Sequence, residues 1–103
     1  MANDAVGWLM NWYRSHCDDD WEHSYGVTID TIDNPGWSLK VDLADTELDG
    51  RTLAEVTHNY EHDSDWWMCR TENNKFVGVG GPLHLESLIY QFKRWATGAS
   101  VRP

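Results

Sequence analysis

Asp18, Asp19, Asp20, Glu22 and His23 crowd around Trp21 in the heptapeptide Cys17–His23. Carboxylates and imidazoles at this density can hold a divalent cation, move protons, or face a cationic partner. A solvated turn explains the charge but not the indole, and a core explains the indole but not three consecutive aspartates. Asp33-Asn34-Pro35-Gly36-Trp37 repeats the association of carboxylate, turn and indole.

Each chemistry has a spacing to meet. An EF-hand loop needs glycine at its sixth position and glutamate at its twelfth. Counted from Asp18 those positions are His23 and Ile29, so the pattern fails. A zinc site would draw on His16, Cys17, His23, His58, His62 or Cys69, and no pair among them has a diagnostic spacing. The expectation is surface histidines and carboxylates with no metal or other cofactor. Asp20 and Glu22 would share a face on an extended segment and could divide acid and base roles. No nucleophile motif accompanies them, and Gly78-Val79-Gly80-Gly81 lacks the parallel βαβ setting of a phosphate loop. The chain is therefore not expected to be an enzyme.

The seven tryptophans divide by position. Trp8, Trp12, Trp37 and Trp95 fall where a core needs them. Trp66 and Trp67 are adjacent in a predicted strand, so they face opposite ways, and one is exposed, covered by a loop or part of an interface. Trp21 has no periodic partner. Exposed indoles at Trp21, Trp66 or Trp67 would suit a small-ligand or carbohydrate-binding module.

Charge narrows the partners. The chain has 103 residues and a net charge of −9. From Ser15 to Cys69 fourteen acidic residues face only Lys40 and Arg51, and from Arg70 onward the balance is positive. Nucleic acid and anionic membrane surfaces are disfavoured, because both demand clustered Lys and Arg. A basic protein partner is favoured by complementary fields. Two cysteines without a CxxC make no disulfide framework. No basic n-region followed by an apolar run is visible near the start, so a cytoplasmic protein with reduced thiols is expected.

These residues need a scaffold, and its pattern reads as helix, sheet, helix. Asn3 or Asp4 caps a first helix with Val6, Leu9, Met10 and Tyr13 as its stripe, widened by Trp8 and Trp12. Val27 and Ile29 mark a half-buried strand. Trp37, Leu39, Val41 and Leu43 alternate with polar residues in the clearest strand pattern of the chain. Leu53–Tyr60, Trp66–Thr71 and Phe76–Val79 complete the set, with a tight turn at Asn73-Asn74. Gly81-Pro82 opens a last helix striped by Leu85, Leu88, Ile89, Phe92 and Trp95; Gly98 stops it, and the tail to Pro103 frays. The expected fold is a single α+β domain over residues 1–103. It is an antiparallel meander of about five strands, with an N-terminal and a C-terminal helix on one face.

Asp20-Trp21-Glu22-His23 and Asn34-Pro35-Gly36-Trp37, joined by Thr31-Ile32-Asp33 and Val41-Asp42-Leu43, resemble the immunity protein 53 family. Asp65-Trp66 and Phe76-Val77-Gly78-Val79-Gly80-Gly81-Pro82 extend the resemblance to nearly the whole chain. Asp19 departs from it, standing where a glycine is expected between acidic residues. The resemblance implies a small bacterial protein of a polymorphic toxin system that binds and neutralises a co-encoded toxin. It supplies no catalytic residues. Asp18, Asp19, Asp20 and Glu22, with Asp63 and Asp65 as a second group, are the expected partner-binding residues. Trp21, His23, Pro35, Gly36 and Trp37 are assigned to structure.

Overall fold

The computed structural model describes residues 4–98; Asn3 and the tail beyond Gly98 lie outside them. The chain runs α1 (Ala5–His16), α2 (Trp21–Ser24), β1 (Val27–Ile32), β2 (Gly36–Asp42), β3 (Val56–His58), β4 (Trp67–Glu72), β5 (Lys75–Gly80) and α3 (Leu85–Ala96). Five antiparallel strands and two long helices packed against them give the expected α+β fold.

The strand order is β1-β2-β5-β4-β3. A simple meander would set β3 beside β2, but β5 takes that place and β3 becomes an edge. The β2–β5 register supplies the reason. Leu39 faces Gly78 and Trp37 faces Gly80 across the pair. The glycines clear space for α3: a β-carbon on Gly78 would press on Leu88, and one on Gly80 on His84. The glycines that thin the fifth strand therefore seat the helix above it. Asn73 and Asn74, with φ of 54° and 61°, make the tight β4–β5 turn.

Helix α3 buries Leu88, Ile89, Phe92 and Trp95, as its stripe requires. It begins at Leu85 with His84 as N-cap, so Pro82 lies in the turn before it, not at the first helical position. Thr97 is the C-cap, and Gly98 follows at φ 87°, where glycine has no steric penalty.

Helix α1 is capped by Asp4, whose carboxylate accepts from Gly7 N. Its buried face is Ala5, Leu9 and Trp12. Val6, Met10 and Tyr13 are exposed, which corrects the expected stripe. The indoles decide the rotation: Trp8 and Trp12 both pack on Phe92 at 5.6 and 5.1 Å between ring centroids. An aromatic buries far more area than a valine or methionine, so the helix turns to place those rings. Strand β1 is also less buried than its alternation suggests, with Ile29 exposed beside the open edge.

Phe92 joins both layers, touching Trp8 and Trp12 on α1, Phe76 on β5 and Trp95 on its own helix. Phe92→Ala is expected to cost about 3–5 kcal/mol in urea unfolding. Val6→Ala and Met10→Ala should each stay within about 0.5 kcal/mol, as exposed positions do. The reverse ranking would mean that the helix presents its other face.

Candidate functional site: an acidic end of the sheet

The acidic heptapeptide forms a corner between α1 and β1. Trp21 is buried, and its Nε1 donates to the Ala44 carbonyl at 2.9 Å. Its ring contacts Trp12, Tyr13, His16 and Tyr25. The segment is not extended. Asp20 is the N-cap of a single helical turn, so Asp20 and Glu22 do not form the paired carboxylates that general acid–base work would need.

Two of the carboxylates hold the turn itself. Glu22 accepts from the backbone N–H groups of Asp18 and Asp19 at 2.9 and 2.8 Å. Asp18 accepts from Asp20 N and Trp21 N at 3.1 and 3.0 Å. The bond from Trp21 N is the main cause that holds the Asp18 carboxyl below its ordinary range. Glu22 is lowered too, by its own backbone N–H and by those of Asp18 and Asp19, against the opposing effect of burial. The intervening Asp19 has φ 77°, the left-handed region that glycine enters freely and aspartate tolerates. It is the one residue of the turn where glycine would be at ease. Asp19, Asp20 and His23 are exposed.

A second acidic segment, outside the expected partner-binding residues, joins this corner. Gly26 and Asp42 exchange hydrogen bonds, with Asp42 N donating to Gly26 O and Gly26 N to Asp42 Oδ2. His16 Nε2 meets Glu47 Oε1 at 2.7 Å, and Trp12 Nε1 donates to Glu47 Oε2 at 3.1 Å. Partial burial pushes the Glu47 carboxyl up, but the bonds from His16, its own backbone and Trp12 prevail and lower it. Asp49 accepts from Asp45 N and from Asn74 Nδ2, and the first of these is the main cause of its lowered carboxyl. The result is one end of the sheet carrying Asp18, Asp19, Asp20, Glu22, Asp42, Asp45, Glu47 and Asp49. Of the nearby cations, Lys75 is paired with Asp42, and Arg51 lies over the Trp95 ring at 5.0 Å. The signal was the charge run of Asp42–Asp49; what hid it was that its contact with residues 17–26 is long-range.

Asp63 and Asp65 are elsewhere. They sit in the β3–β4 loop, next to the start of α3, where His84 Nε2 meets Asp65 Oδ1 at 2.6 Å. That end adjoins the first residues of β2, since Trp37 pairs with Gly80. Ala44 lies two residues beyond the end of β2, a strand of seven residues spanning roughly 20 Å. The two expected acidic groups are therefore not brought together. The hydrogen bond from His84 is the main cause that lowers the Asp65 carboxyl. Asp63 is exposed.

The indoles answer the ligand-binding alternative. Trp21 and Trp66 are 5% and 8% exposed, so neither offers a stacking platform. Trp66 is covered by Tyr60 of the β3–β4 loop, edge to face at 5.7 Å, and half-buried Trp67 is stacked on His58. An apolar groove between α3 and β3–β4, lined by Leu53, Val56, Cys69, Gln91, Arg94 and Trp95, holds ≈ 170 Å³. Drug-sized ligands occupy roughly 300–1,000 Å³, a range that the open polar hollow of Asn34, Tyr60, His62, Asp63 and Trp66 reaches at ≈ 360 Å³. Burial pushes the Cys69 thiol up to about 12, which keeps it protonated and unreactive. Trp37 Nε1 donates to the Pro82 carbonyl, and Gly36 lies so close to the Gly80 carbonyl that a β-carbon would collide with it. Pro35, joined to Asn34 by a cis bond, and His23 remain exposed. Among the described residues no helix is long and apolar enough to cross a membrane.

The model of the immunity protein 53 family matches residues 6–97, and the chain belongs to that family. No curated protein and no solved structure matches it.

Two outcomes follow for the corner. Asp19→Ala should cost about 1 kcal/mol in urea unfolding, because a β-carbon without a helping polar group is strained in this conformation. Asp19→Gly should match or exceed the parent; an equal loss in both variants would contradict the conformational explanation. Asp18 and Glu22 have lowered folded-state values, so their contribution is complete above the unfolded carboxylate range, near pH 4, and is lost as pH falls through the folded values. Asp18→Asn keeps an acceptor but cannot titrate, and its thermal midpoint should fall less steeply than the parent's below about pH 4. Parallel curves would remove Asp18 from the acid transition.

Proposed function

We propose that this member of an immunity protein family neutralises a co-encoded toxin domain by stoichiometric binding, without catalysis, through its acidic end. The observation that carries the reading is the joining of residues 18–22 and 42–49 by the Trp21–Ala44 bond. That bond holds the two acidic segments side by side. The bare face of the sheet is a weaker candidate on charge. There Arg70 meets Glu72 at 2.8 Å and Glu55 at 3.8 Å, so that much of its charge is balanced internally.

A surface of this charge fits a basic partner. Toxins that act on nucleic acid carry basic clefts, and an inhibitor that presents carboxylates in phosphate-like density can cover such a cleft and exclude its substrate. A nuclease of a polymorphic toxin system is the partner class that this reading favours. Encounter in the cytoplasm agrees with two cysteines that are both free, one of them buried. Nucleic acid and membranes are not partners under this reading, since the acidic end repels both.

Asp19, Asp20 and Asp45 are the residues to change. Their carboxylates have no hydrogen-bond partner among the described residues, and asparagine tolerates the positive φ of Asp19 and Asp45. The triple variant Asp19→Asn, Asp20→Asn, Asp45→Asn should fold normally by circular dichroism. It should bind the toxin domain at least about tenfold more weakly, mostly through a slower association that loses its salt dependence. Unchanged affinity in a folded variant would take the acidic end out of the interface.

A further inference from the structure

The opposite end of the sheet holds a second constellation, which toxin binding through the acidic end does not use. His58 on β3, Asp65 in the β3–β4 loop and His84 at the start of α3 converge, with one ligand atom from each lying within 4.8 Å of the others. We propose that these three side chains form a binding site for a divalent transition-metal cation, zinc being the best match.

The geometry goes beyond what an ion pair requires. The Asp65–His84 contact alone ties the loop to the residue that precedes the helix. His58 Nε2 lies 3.7 Å from the same Oδ1 oxygen, too far for a hydrogen bond. A second imidazole nitrogen is thus aimed at an oxygen to which it is not bonded. Tetrahedral zinc with bonds of about 2.0–2.1 Å places its ligand atoms roughly 3.3 Å apart. The observed separations of 2.6 and 3.7 Å bracket that value, so small shifts admit the ion. Two imidazoles and a carboxylate are a zinc ligand set, and the exposed sides of His58 and Asp65 leave room for water in the fourth position.

The surroundings hold two of the ligands by hydrogen bonds, as a metal site needs, and the third by ring stacking. His84 Nδ1 faces Ser87 Oγ at 2.9 Å, which turns Nε2 toward Asp65. Asn59 Nδ2 donates to the other Asp65 oxygen at 3.3 Å. The His58 ring lies flat on Trp67, 5.6 Å between centroids and 15° from parallel. The loop is pinned at both sides of Asp65. Gly81 N donates to the Trp66 carbonyl at 2.9 Å, and a β-carbon on Gly81 would collide with the Ser64 carbonyl. His62 is taken up by the loop itself, its Nδ1 accepting from Ser64 N and Asp65 N. The grouping of Asp19, Glu22 and His23 has no comparable support, because Glu22 is committed to backbone N–H groups.

Calorimetric titration of the chelator-treated full chain with zinc chloride tests the site. The expected result is saturable binding of one ion per chain, with a raised thermal midpoint in its presence. His58→Ala leaves the Asp65–His84–Ser87 chain intact, so it should fold, yet bind zinc at least about tenfold more weakly. His23→Ala should bind as the parent does. Absence of saturable binding, equal affinity in the parent and His58→Ala, or loss in His23→Ala alone would each overturn the proposal. None of these readouts involves the toxin, so failure here leaves the acidic-end reading standing.

Discussion

Burying an indole with its N–H unpaired is costly, and for Trp21 the Ala44 carbonyl supplies the acceptor. This requirement organises the acidic end. It pulls the corner between α1 and β1 against the loop that follows β2, and so places carboxylates from distant parts of the sequence side by side. Left alone those charges would repel. The fold offsets the repulsion by using several of them as acceptors for backbone N–H groups and for His16 and Trp12. Structure and charge share the same side chains there, and the aspartates with no internal partner are the ones left to face outward.

The aromatic cluster above the sheet sets the position of that corner. Trp12 touches both Phe92 and Trp21, so the packing of α1 on α3 and the seating of the corner are one problem. Phe92 in turn reaches Phe76 on β5. A displacement of α1 would carry Trp21 away from Ala44 and open the acidic surface. The small size of the domain makes this chain of rings a large share of its core.

Much of the fold was legible in the sequence, for reasons that particular residues make plain. Period-2 alternation in β2 and the stripe of α3 are local signals that burial on one face enforces. The α1 stripe misled because periodicity weighs Val6 and Met10 like Trp8 and Trp12, whereas packing area does not. The β2–β5 pairing was not legible, since glycine opposite Leu39 and Trp37 has meaning only once α3 lies above. The same holds for both sites. The Trp21 motif was conspicuous as a segment, but its partner loop lay some twenty residues on. His58, Asp65 and His84 have no motif spacing; the β3–β4 pairing and the close approach of Gly81 to Ser64 bring their elements together.

Amide hydrogen exchange of the chain, free and with its toxin domain, probes the central claim most directly. Binding through the acidic end should slow exchange in residues 17–26 and 43–50 together, since the Trp21–Ala44 tie makes them one surface. Protection confined to the β3–β4 loop or to the bare face of the sheet, with residues 17–26 and 43–50 unchanged, would contradict it.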